Sequence, residues 1–261
     1  MAVKGNALVT GAGQGVGRAI AIELAQAGAD TVVVNDFYRD RAEAVVREIE
    51  NLGRKACAAA FDVSSADALK QAMHELAAKQ IAPISVLVNN AGNAGPKATG
   101  IGGTPFWEQT GEDWDRYLLT NLYGAMNCVR AVCKGMADAG FGRVINIVSD
   151  AGRMGQANAE AYSAAKAGVA GFTRSFAASM GKYGITANCV SLAAMDTPGT
   201  PRDYQDAAAI ERSKKVLSRY IVRRYGQPED VSGLVAFLAS ERGSWITGQV
   251  IPVNGGYTFA L

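Results

Sequence analysis

The chain has 261 residues, of which 49% are hydrophobic and 19% charged, and its formal net charge at pH 7 is +2. This length and composition can bury the core of one large α/β sheet, so we expect a globular protein. The charge gives no indication of binding to nucleic acid or a membrane surface, and no apolar run reaches the roughly 18 residues of a membrane span.

The amino-terminal segment leads directly into a strand-like run, without the basic and apolar regions of a signal peptide. The four cysteines (Cys57, Cys128, Cys133 and Cys189) form no CxxC pair and show no metal-ligand spacing. Reduced thiols are the simplest interpretation, so we expect a cytoplasmic protein without a bound metal.

Short apolar runs alternate with helical stretches along the whole chain. Strands are predicted at 6–10, 31–35, 56–61, 84–89, 143–149, 185–191 and 249–253. Helices are predicted near 16–27, 39–52, 65–79, 112–138, 158–182 and 228–240. Continuously apolar strands are typical of strands that are covered on both faces. The alternation therefore predicts a doubly wound parallel sheet with right-handed crossovers.

Two irregular stretches interrupt this alternation, at about 92–111 and 192–227. Loops of this length in a compact domain are usually lids or binding segments. No interior linker, repeat or low-complexity segment is present, so residues 1–261 are interpreted as a single domain with two substrate loops.

A glycine-rich segment, TGAGQGVG at residues 10–17, follows the first predicted strand and opens the first predicted helix. Glycines allow a tight turn and a close backbone approach there, while the N–H groups at the positive end of the helix face a pyrophosphate. The segment therefore predicts a dinucleotide cofactor. The residues expected to bind it are Gly11, Gln14, Gly15, Val16 and Gly17.

Asp36 ends the second predicted strand, where a carboxylate accepts hydrogen bonds from both hydroxyls of the adenosine ribose. The same charge repels a 2′-phosphate, so Asp36 favours NAD over NADP. Arg39 and Arg41 could pair with such a phosphate, although charges at the start of a helix are commonly solvated. Asp62 and Val63, after the third strand, are expected to contact the adenine.

Further motifs follow in chain order. They are Asn89-Asn90-Ala91-Gly92, Asn121, Ser149, Tyr162-x3-Lys166 and Asn188. With the glycine motif, they make the chain resemble the classical short-chain dehydrogenase/reductase family over essentially its whole length. The resemblance implies a single-domain Rossmann fold with seven strands in the order 3-2-1-4-5-6-7, and a homotetramer. It also implies hydride transfer between a nicotinamide cofactor and an alcohol or carbonyl.

Tyr162 and Lys166 are spaced i,i+4, so they share one face of a helix. A nearby ammonium group and an oxidised nicotinamide would lower the free energy of ionising Tyr162, whose ordinary pKa is about 10. Tyr162 can then take the alcohol proton as hydride leaves carbon. By the resemblance, Lys166 binds the nicotinamide ribose and Ser149 hydrogen-bonds the substrate oxygen. Asn121 would hold a water that links Lys166 to solvent.

The resemblance adds Asn90, Ala91, Gly92 and Thr197 to the cofactor site, beside Tyr162 and Lys166. The family usually has Pro-Gly after the sixth strand, whereas this chain reads LAAMDT at residues 192–197. The change removes a fixed φ and a permissive residue, so the geometry of this loop does not follow from the family.

Residues 201–225, the expected substrate lid, hold seven basic residues against three acidic ones. This excess would attract an anionic carrier such as coenzyme A, although a helix with a solvated basic face explains it equally well. The basic residues are Arg202, Arg212, Lys214, Lys215, Arg219, Arg223 and Arg224, and the acidic ones are Asp203, Asp206 and Glu211.

The leading hypothesis is an NAD-dependent dehydrogenase that acts on the secondary hydroxyl of a small molecule, including a cyclic alcohol or a CoA thioester. SDAGRMG, from Ser149, resembles the branch that oxidises hydroxyacyl thioesters, close to 3-oxoacyl carrier-protein reductases. An NADPH-dependent 3-oxoacyl carrier-protein reductase is the alternative, which Asp36 disfavours. A non-catalytic nucleotide-sensing protein is the weakest alternative, because only the altered loop supports it and four intact catalytic positions outweigh that change. His74 is expected at the surface or in packing.

Overall fold

The computed structural model describes residues 2–92, 104–198 and 207–259, apart from the side chains of residues 207–209 and 212. Seven parallel strands form one sheet in the order β3-β2-β1-β4-β5-β6-β7. They are β1 (Asn6–Val9), β2 (Val32–Asp36), β3 (Ala56–Ala60), β4 (Ile84–Asn89), β5 (Gly142–Ser149), β6 (Ile185–Leu192) and β7 (Val250–Val253). The predicted Rossmann arrangement and strand order are confirmed.

Helices cover both faces of the sheet. They are α1 (Gly15–Gln26), α2 (Arg39–Asn51), α3 (Ala66–Ala78), α4 (Gly111–Leu118), α5 (Gly124–Asp138), α6 (Ala151–Met154), α7 (Glu160–Met180), α8 (Ala207–Leu217) and α9 (Pro228–Ala239). Helices α1, α2 and α9 bury their apolar residues in one core, and α3, α5 and α7 contribute to the core on the opposite face.

The central strands supply side chains to both cores because neighbouring residues of a strand point to opposite faces. In β1, Ala7 and Val9 belong to one core and Leu8 to the other, and all three are fully buried. Complete burial of a side chain such as Leu8 contributes about 1.5–3 kcal/mol. The edge strands β3 and β7 are only partly buried, so the expectation of coverage on both faces holds for the interior of the sheet.

The helix predicted over 112–138 is divided in the structure. Helix α4 is followed by a π-helical turn, Leu119–Tyr123, and then by α5. A capping box starts α4, because the Thr110 hydroxyl accepts the Asp113 N–H and the Asp113 carboxylate accepts the Thr110 N–H (2.9 Å). π-helical turns are rare and occur frequently at functional sites.

The two predicted loops differ from the expectation. The stretch predicted as irregular at 192–227 contains α8, and the short α6 was not predicted either. Of the loop at 92–111, residues 93–103 lie outside the described residues, and the remainder includes a 3₁₀ turn, Phe106–Glu108. Helix α6 has only 4 residues, which is too short for a periodic pattern. Helix α8 lies in a polar segment, in which no helical period of apolar residues stands out.

Over the described ranges, no helix is both long enough and apolar enough to cross a membrane. In the same ranges, no group of three or more His, Cys, Asp or Glu residues could hold a metal ion. All four cysteines are free, and His74 is exposed on α3, as the sequence predicts.

Candidate active site

Thr10 joins the glycine motif to the motif after β4 at the carboxyl end of the sheet. Its hydroxyl accepts the N–H groups of Asn90 and Ala91, each at 3.0 Å. The Asn90 amide donates in return to the carbonyl oxygens of Thr10 and Gly11, also at 3.0 Å. Two motifs that are separate in the sequence are therefore one hydrogen-bonded unit, and Thr10, to which the sequence motifs assign no role, is a site residue that joins them.

The glycine motif forms a cradle at the amino-terminal end of α1. Gly11 has φ +60°, and a Cβ there would lie 2.8 Å from the Cα of Ala91. A Cβ on Gly15 would lie 3.2 Å from Cγ2 of Thr197, so the loop after β6 closes the other side of the cradle. A Cβ on Gly17 would clash with the Gly11 carbonyl oxygen and the Asn90 side chain, so glycine at this position allows α1 to lie close to the sheet.

The first turn of α1 suits an anion. Gln14, at the N-cap, makes no side-chain capping bond to the described residues, and the first turn contains no acidic residue. Val16 is buried beneath this turn. Since the N–H groups at a helix N-terminus attract negative charge, the cradle fits the pyrophosphate of a dinucleotide.

Asp36 is buried at the end of β2, beside the glycine motif. The Gly13 N–H donates to its Oδ2 at 3.1 Å, and the Tyr38 N–H donates to its Oδ1 at 3.0 Å. The Arg41 guanidinium lies over the Tyr38 ring, 4.6 Å from the centroid. Arg39 pairs with Glu43 at 3.9 Å. Gly13 is thus a further site residue, and its only signal in the sequence is its position inside the glycine motif.

Asp62 and Val63 lie just beyond the end of β3. Asp62 Oδ1 accepts hydrogen bonds from the N–H of Ser64 (2.8 Å) and from its hydroxyl (2.7 Å). Val63 is buried, and a Cβ on Gly124 would lie 2.7 Å from its Cγ2. The turn is therefore well fixed, and an adenine contact by Asp62 and Val63 stays a prediction.

The four predicted catalytic residues converge beside this cradle. Ser149 ends β5 and is hydrogen-bonded to Tyr162 of α7. Lys166 is buried on α7, where its Nζ lies 5.8 Å from the Tyr162 ring centroid and donates to the carbonyl oxygen of Ile147 at 3.0 Å. A Cβ on Gly92 would lie 2.9 Å from Asn121 Oδ1 and 3.0 Å from Lys166 Nζ.

The π-helical turn places Asn121 in this group. Its Nδ2 donates to the Tyr117 carbonyl oxygen at 2.8 Å, and the residue is buried. The Tyr117 ring packs edge-on against Tyr162, with the centroids 6.1 Å apart. Tyr117 is therefore a further residue of this group, and its only signal in the sequence is its position one helical turn before Asn121.

Burial shifts the pKa values of the tyrosine and the lysine in opposite directions. Loss of solvent raises the pKa of Tyr162, the hydrogen bond with Ser149 opposes this rise, and Tyr117 adds to it. Burial lowers the pKa of Lys166 to about 8. In the protein alone, burial thus sets the direction of the Tyr162 shift. The expectation that Lys166 and an oxidised nicotinamide together ease the ionisation of Tyr162 stays a prediction.

The loop after β6, where the family's Pro-Gly is absent, is hydrogen-bonded to Tyr220 and Gly226, near the end of the expected lid. The Ala194 N–H donates to the Tyr220 hydroxyl at 3.0 Å, and the Gly226 N–H donates to the Ala194 carbonyl at 3.1 Å. The Asp196 N–H donates to the Gly226 carbonyl at 2.7 Å. These bonds fix the loop in place of Pro-Gly and set Thr197 opposite Gly15.

Several charges of the lid are paired within the protein. Lys214 lies 3.7 Å from Glu211, and the Arg219 guanidinium lies over the Tyr257 ring at 4.9 Å. Arg224 makes a bidentate pair with Asp230, which helps to lower the pKa of Asp230 to about 2. Arg202, Asp203 and Asp206, and the side chain of Arg212, lie outside the described residues.

Comparison with known proteins identifies relatives along nearly the whole chain. Residues 11–258 match the family described as enoyl-(acyl carrier protein) reductase. Cis-4-hydroxycyclohexanecarboxylate dehydrogenase of Sinomonas cyclohexanicum is 38% identical over 255 residues, which are 97% of this chain and 96% of the relative.

Two solved structures have the same fold. A 3-oxoacyl-[acyl-carrier protein] reductase of Brucella melitensis with bound NAD is 32% identical, with a TM-score of 0.85 over 98% of this chain and 92% of that one. A gluconate 5-dehydrogenase of Burkholderia cenocepacia in complex with NADP and tartrate is 32% identical, with a TM-score of 0.86 over 98% of this chain and 96% of that one.

Proposed function

Since the chain belongs to the classical short-chain dehydrogenase/reductase family, we propose that its alcohol–ketone chemistry is carried by Tyr162, Ser149, Lys166 and Asn121. Members of this family are NAD(P)-dependent oxidoreductases, and this chain is one of them. The observation that supports the assignment is the hydrogen bond between Tyr162 and Ser149, with the buried Lys166 ammonium beside the same ring. We propose that residues 1–261 form the single catalytic domain.

The residues around the glycine cradle would hold the cofactor. The amino-terminal N–H groups of α1 would bind its pyrophosphate, Asp36 its adenosine ribose, and Thr197 its carboxamide. When bound, the nicotinamide ring supplies the carbon that accepts or returns hydride. Lys166, which lies beside Gly92 and Tyr162, would bind the second ribose.

The proton step belongs to Tyr162. Its phenol donates a proton to the carbonyl oxygen in reduction, and its phenolate accepts one from the alcohol in oxidation, while the Ser149 hydroxyl hydrogen-bonds the same oxygen. The raised pKa of Tyr162 keeps the phenol protonated at neutral pH, which is the form that reduction needs. Lys166, in its ammonium form, stabilises negative charge developing on the oxygen. Asn121 would hold the water that links Lys166 to solvent.

We assign NAD as the preferred cofactor because of Asp36. A carboxylate has about four acceptor positions, so Asp36 can bind ribose hydroxyls while it keeps the Gly13 and Tyr38 N–H groups. Its charge also opposes a 2′-phosphate. Arg41 favours the competing choice of NADP, because its positive guanidinium would attract a 2′-phosphate. It lies over the ring of Tyr38, two residues after Asp36.

We propose that the substrate is a small secondary alcohol or its ketone, with a cyclic hydroxy acid as the first choice. The relative that acts on cis-4-hydroxycyclohexanecarboxylate supports this choice. The second candidate is a 3-oxoacyl thioester, on coenzyme A or carrier protein, and the similarity to a 3-oxoacyl-[acyl-carrier protein] reductase favours it.

The four free cysteines agree with a reducing compartment such as the cytoplasm.

The test is a substrate panel read by nicotinamide absorbance. Cis-4-hydroxycyclohexanecarboxylate, gluconate and a hydroxyacyl-CoA are offered with NAD and with NADP, and the matching ketones with the reduced cofactors. Turnover of at least one pair by the wild-type protein is expected. Cofactor binding without turnover of any pair would favour a nucleotide-sensing protein instead.

A further inference from the structure

Asp150, the residue after Ser149, is a buried carboxylate that the proposed proton transfer does not use. It is 2% exposed, and each of its oxygens accepts two hydrogen bonds. The donors to Oδ1 are the Ser191 hydroxyl (2.7 Å) and Arg153 Nη1 (3.1 Å). The donors to Oδ2 are Asn254 Nδ2 (2.7 Å) and the Thr258 hydroxyl (3.0 Å). A buried carboxylate with four donors fixes all of them in one arrangement, because losing any one leaves a polar group unpaired.

The last two donors belong to residues 254–259, which we call the C-terminal segment. The segment is folded on itself, since Asn254 Nδ2 donates to the Thr258 carbonyl at 3.0 Å and the Gly256 N–H donates to Asn254 Oδ1 at 3.1 Å. Arg153 binds it a second time, through the Thr258 hydroxyl (2.9 Å) and the Phe259 carbonyl (2.7 Å). Asp150 and Arg153 thus hold the segment beside the end of β5.

The C-terminal segment in turn holds the base of the lid, residues 218–227. The Val222 N–H donates to the Gly255 carbonyl at 2.9 Å, and the Tyr257 and Tyr220 rings pack with centroids 4.9 Å apart. Gly256 has φ +75°, and a Cβ there would lie 2.8 Å from the Ile221 Cβ, so only glycine allows this approach. Through Tyr220, the same contacts reach the loop that carries Thr197.

Asp150 is also the N-cap residue of α6, the short helix that lies between Ser149 and Lys166 in the sequence. The N–H groups of Arg153 and Met154 donate to the Asp150 carbonyl, at 3.0 and 2.9 Å. The Ala151 N–H donates to Ser149 Oγ at 3.2 Å. A Cβ on Gly152 would lie 2.9 Å from the Lys166 Cβ, so α6 packs directly on the catalytic face of α7.

We propose that Asp150 is a positioning residue for the dehydrogenase reaction, whose carboxylate ties the C-terminal segment and the lid base to the serine at the end of β5. Ser149, α6 and the lid base are then held in one arrangement, as the transfer of a proton and a hydride to fixed positions requires. The proposal rests on the proposed function for its catalytic consequence, whereas the tie itself is independent of any activity.

The first experiment measures the tie without activity. Asp150→Asn keeps the size of the side chain, but its amide nitrogen cannot accept the bonds that a carboxylate oxygen accepts. We expect hydrogen exchange at residues 218–227 and 254–259 to become faster, on the order of tenfold, while exchange in β1 and β4 is unchanged. Unchanged exchange in both segments would overturn the proposal, whether or not the protein proves to be a dehydrogenase.

The second experiment measures catalysis with the best substrate of the panel. Asp150→Asn should lower kcat on the order of tenfold or more, with the Kd for NADH changed less than about twofold. Thr258→Val, which leaves Asp150 intact, should lower kcat in the same direction, and the double variant should fall short of the product of the two effects. This second variant also serves if Asp150→Asn does not fold.

Glu241→Gln is the matched control, because Glu241 also pairs with an arginine but lies far from the site, beside Arg143 and Lys4. It should leave kcat unchanged even if it lowers the stability. Loss of stability in Asp150→Asn and Thr258→Val with wild-type kcat would assign Asp150 a merely structural role and overturn the proposal.

Discussion

Burial disfavours the charged forms of both Tyr162 and Lys166. It raises the pKa of the phenol and lowers that of the ammonium group to about 8. At neutral pH, Tyr162 therefore carries its proton and Lys166 still carries its charge. In the proposed reaction, the tyrosine would donate this proton, and the cation beside it would stabilise the negative charge that develops on the substrate oxygen.

The pKa of Lys166 predicts the alkaline limb of carbonyl reduction. The ammonium form is complete well below pH 8 and is lost as pH rises through about 8, while Tyr162 is still protonated. We expect kcat/KM for reduction to fall through this range. Lys166→Arg, which stays charged, should be less active but should lack this limb. A wild-type profile that is flat across the titration of Lys166 would contradict the assignment.

The same titration predicts the effect of Lys166 on stability. Its folded pKa lies below the unfolded value of 10.5, so the folded state binds fewer protons between pH 8 and 10.5. Lys166 therefore destabilises the folded state below pH 8, and this penalty disappears as pH rises through that interval.

Asp36 predicts the choice of cofactor. Removing its carboxylate in Asp36→Ala would remove the proposed ribose hydrogen bonds and the repulsion of a 2′-phosphate, and leaves Arg41 close by. The ratio of kcat/KM for NAD and NADP should therefore fall on the order of 10²-fold. Asp40→Ala, an exposed aspartate of α2, is the control and should leave the ratio unchanged. A wild-type preference for NADP would show that Asp36 does not select the cofactor.

At the scale of elements, the sequence predicts what hydrophobic period and local motifs determine. The seven strands and the glycine motif before α1 are of this kind, and they are found within a residue or two of the predicted bounds. The π-helical turn at Leu119–Tyr123 could not be predicted in this way, because one additional residue in a long amphipathic helix hardly changes its apolar period. The role of Tyr220 depends on contacts between distant segments, which no local pattern encodes.

We expect the buried Arg143 to hold the start of β5 in place. It is 3% exposed, donates to the carbonyl oxygens of Gly142 (2.9 Å) and Gly184 (3.2 Å), and lies 3.5 Å from Glu241. Arg143→Met should lower the free energy of unfolding by about 2 kcal/mol, because the carbonyls lose their donor while the stem is kept. Urea denaturation measures this change. Arg242→Met, at an exposed arginine, should change it by less than about 0.5 kcal/mol; an equal effect of the two variants would contradict this role.

At the scale of the molecule, the sheet brings residues from distant parts of the chain to the carboxyl ends of β1, β4 and β5. The order of the strands and the family motifs were sufficient to predict which residues meet there. They were insufficient to predict the direction of the Tyr162 pKa shift, which depends on burial in the assembled fold. The tie from Asp150 to the C-terminal segment likewise becomes visible only when β5 and the end of the chain are placed side by side.

We propose that the protein is a homotetramer, as the family resemblance implies. Large apolar side chains are exposed along α4, the π-helical turn and the start of α5, among them Trp114, Leu119, Tyr123 and Met126. Several exposed apolar side chains on neighbouring turns favour burial against a second copy. Sedimentation equilibrium should give four times the 27.3 kDa of one chain. A monomeric mass at micromolar concentration would contradict the proposal.

The central claim, that Tyr162 moves the proton in an alcohol–ketone reaction, is tested most directly by Tyr162→Phe. We expect kcat to fall by roughly 10²–10⁴-fold with the best substrate of the panel, while the Kd for NADH changes little, because only the hydroxyl is removed. Tyr183→Phe, at an exposed tyrosine before β6, should retain wild-type kcat and serves as the matched control. Retention of more than about a tenth of wild-type kcat by Tyr162→Phe would contradict the account.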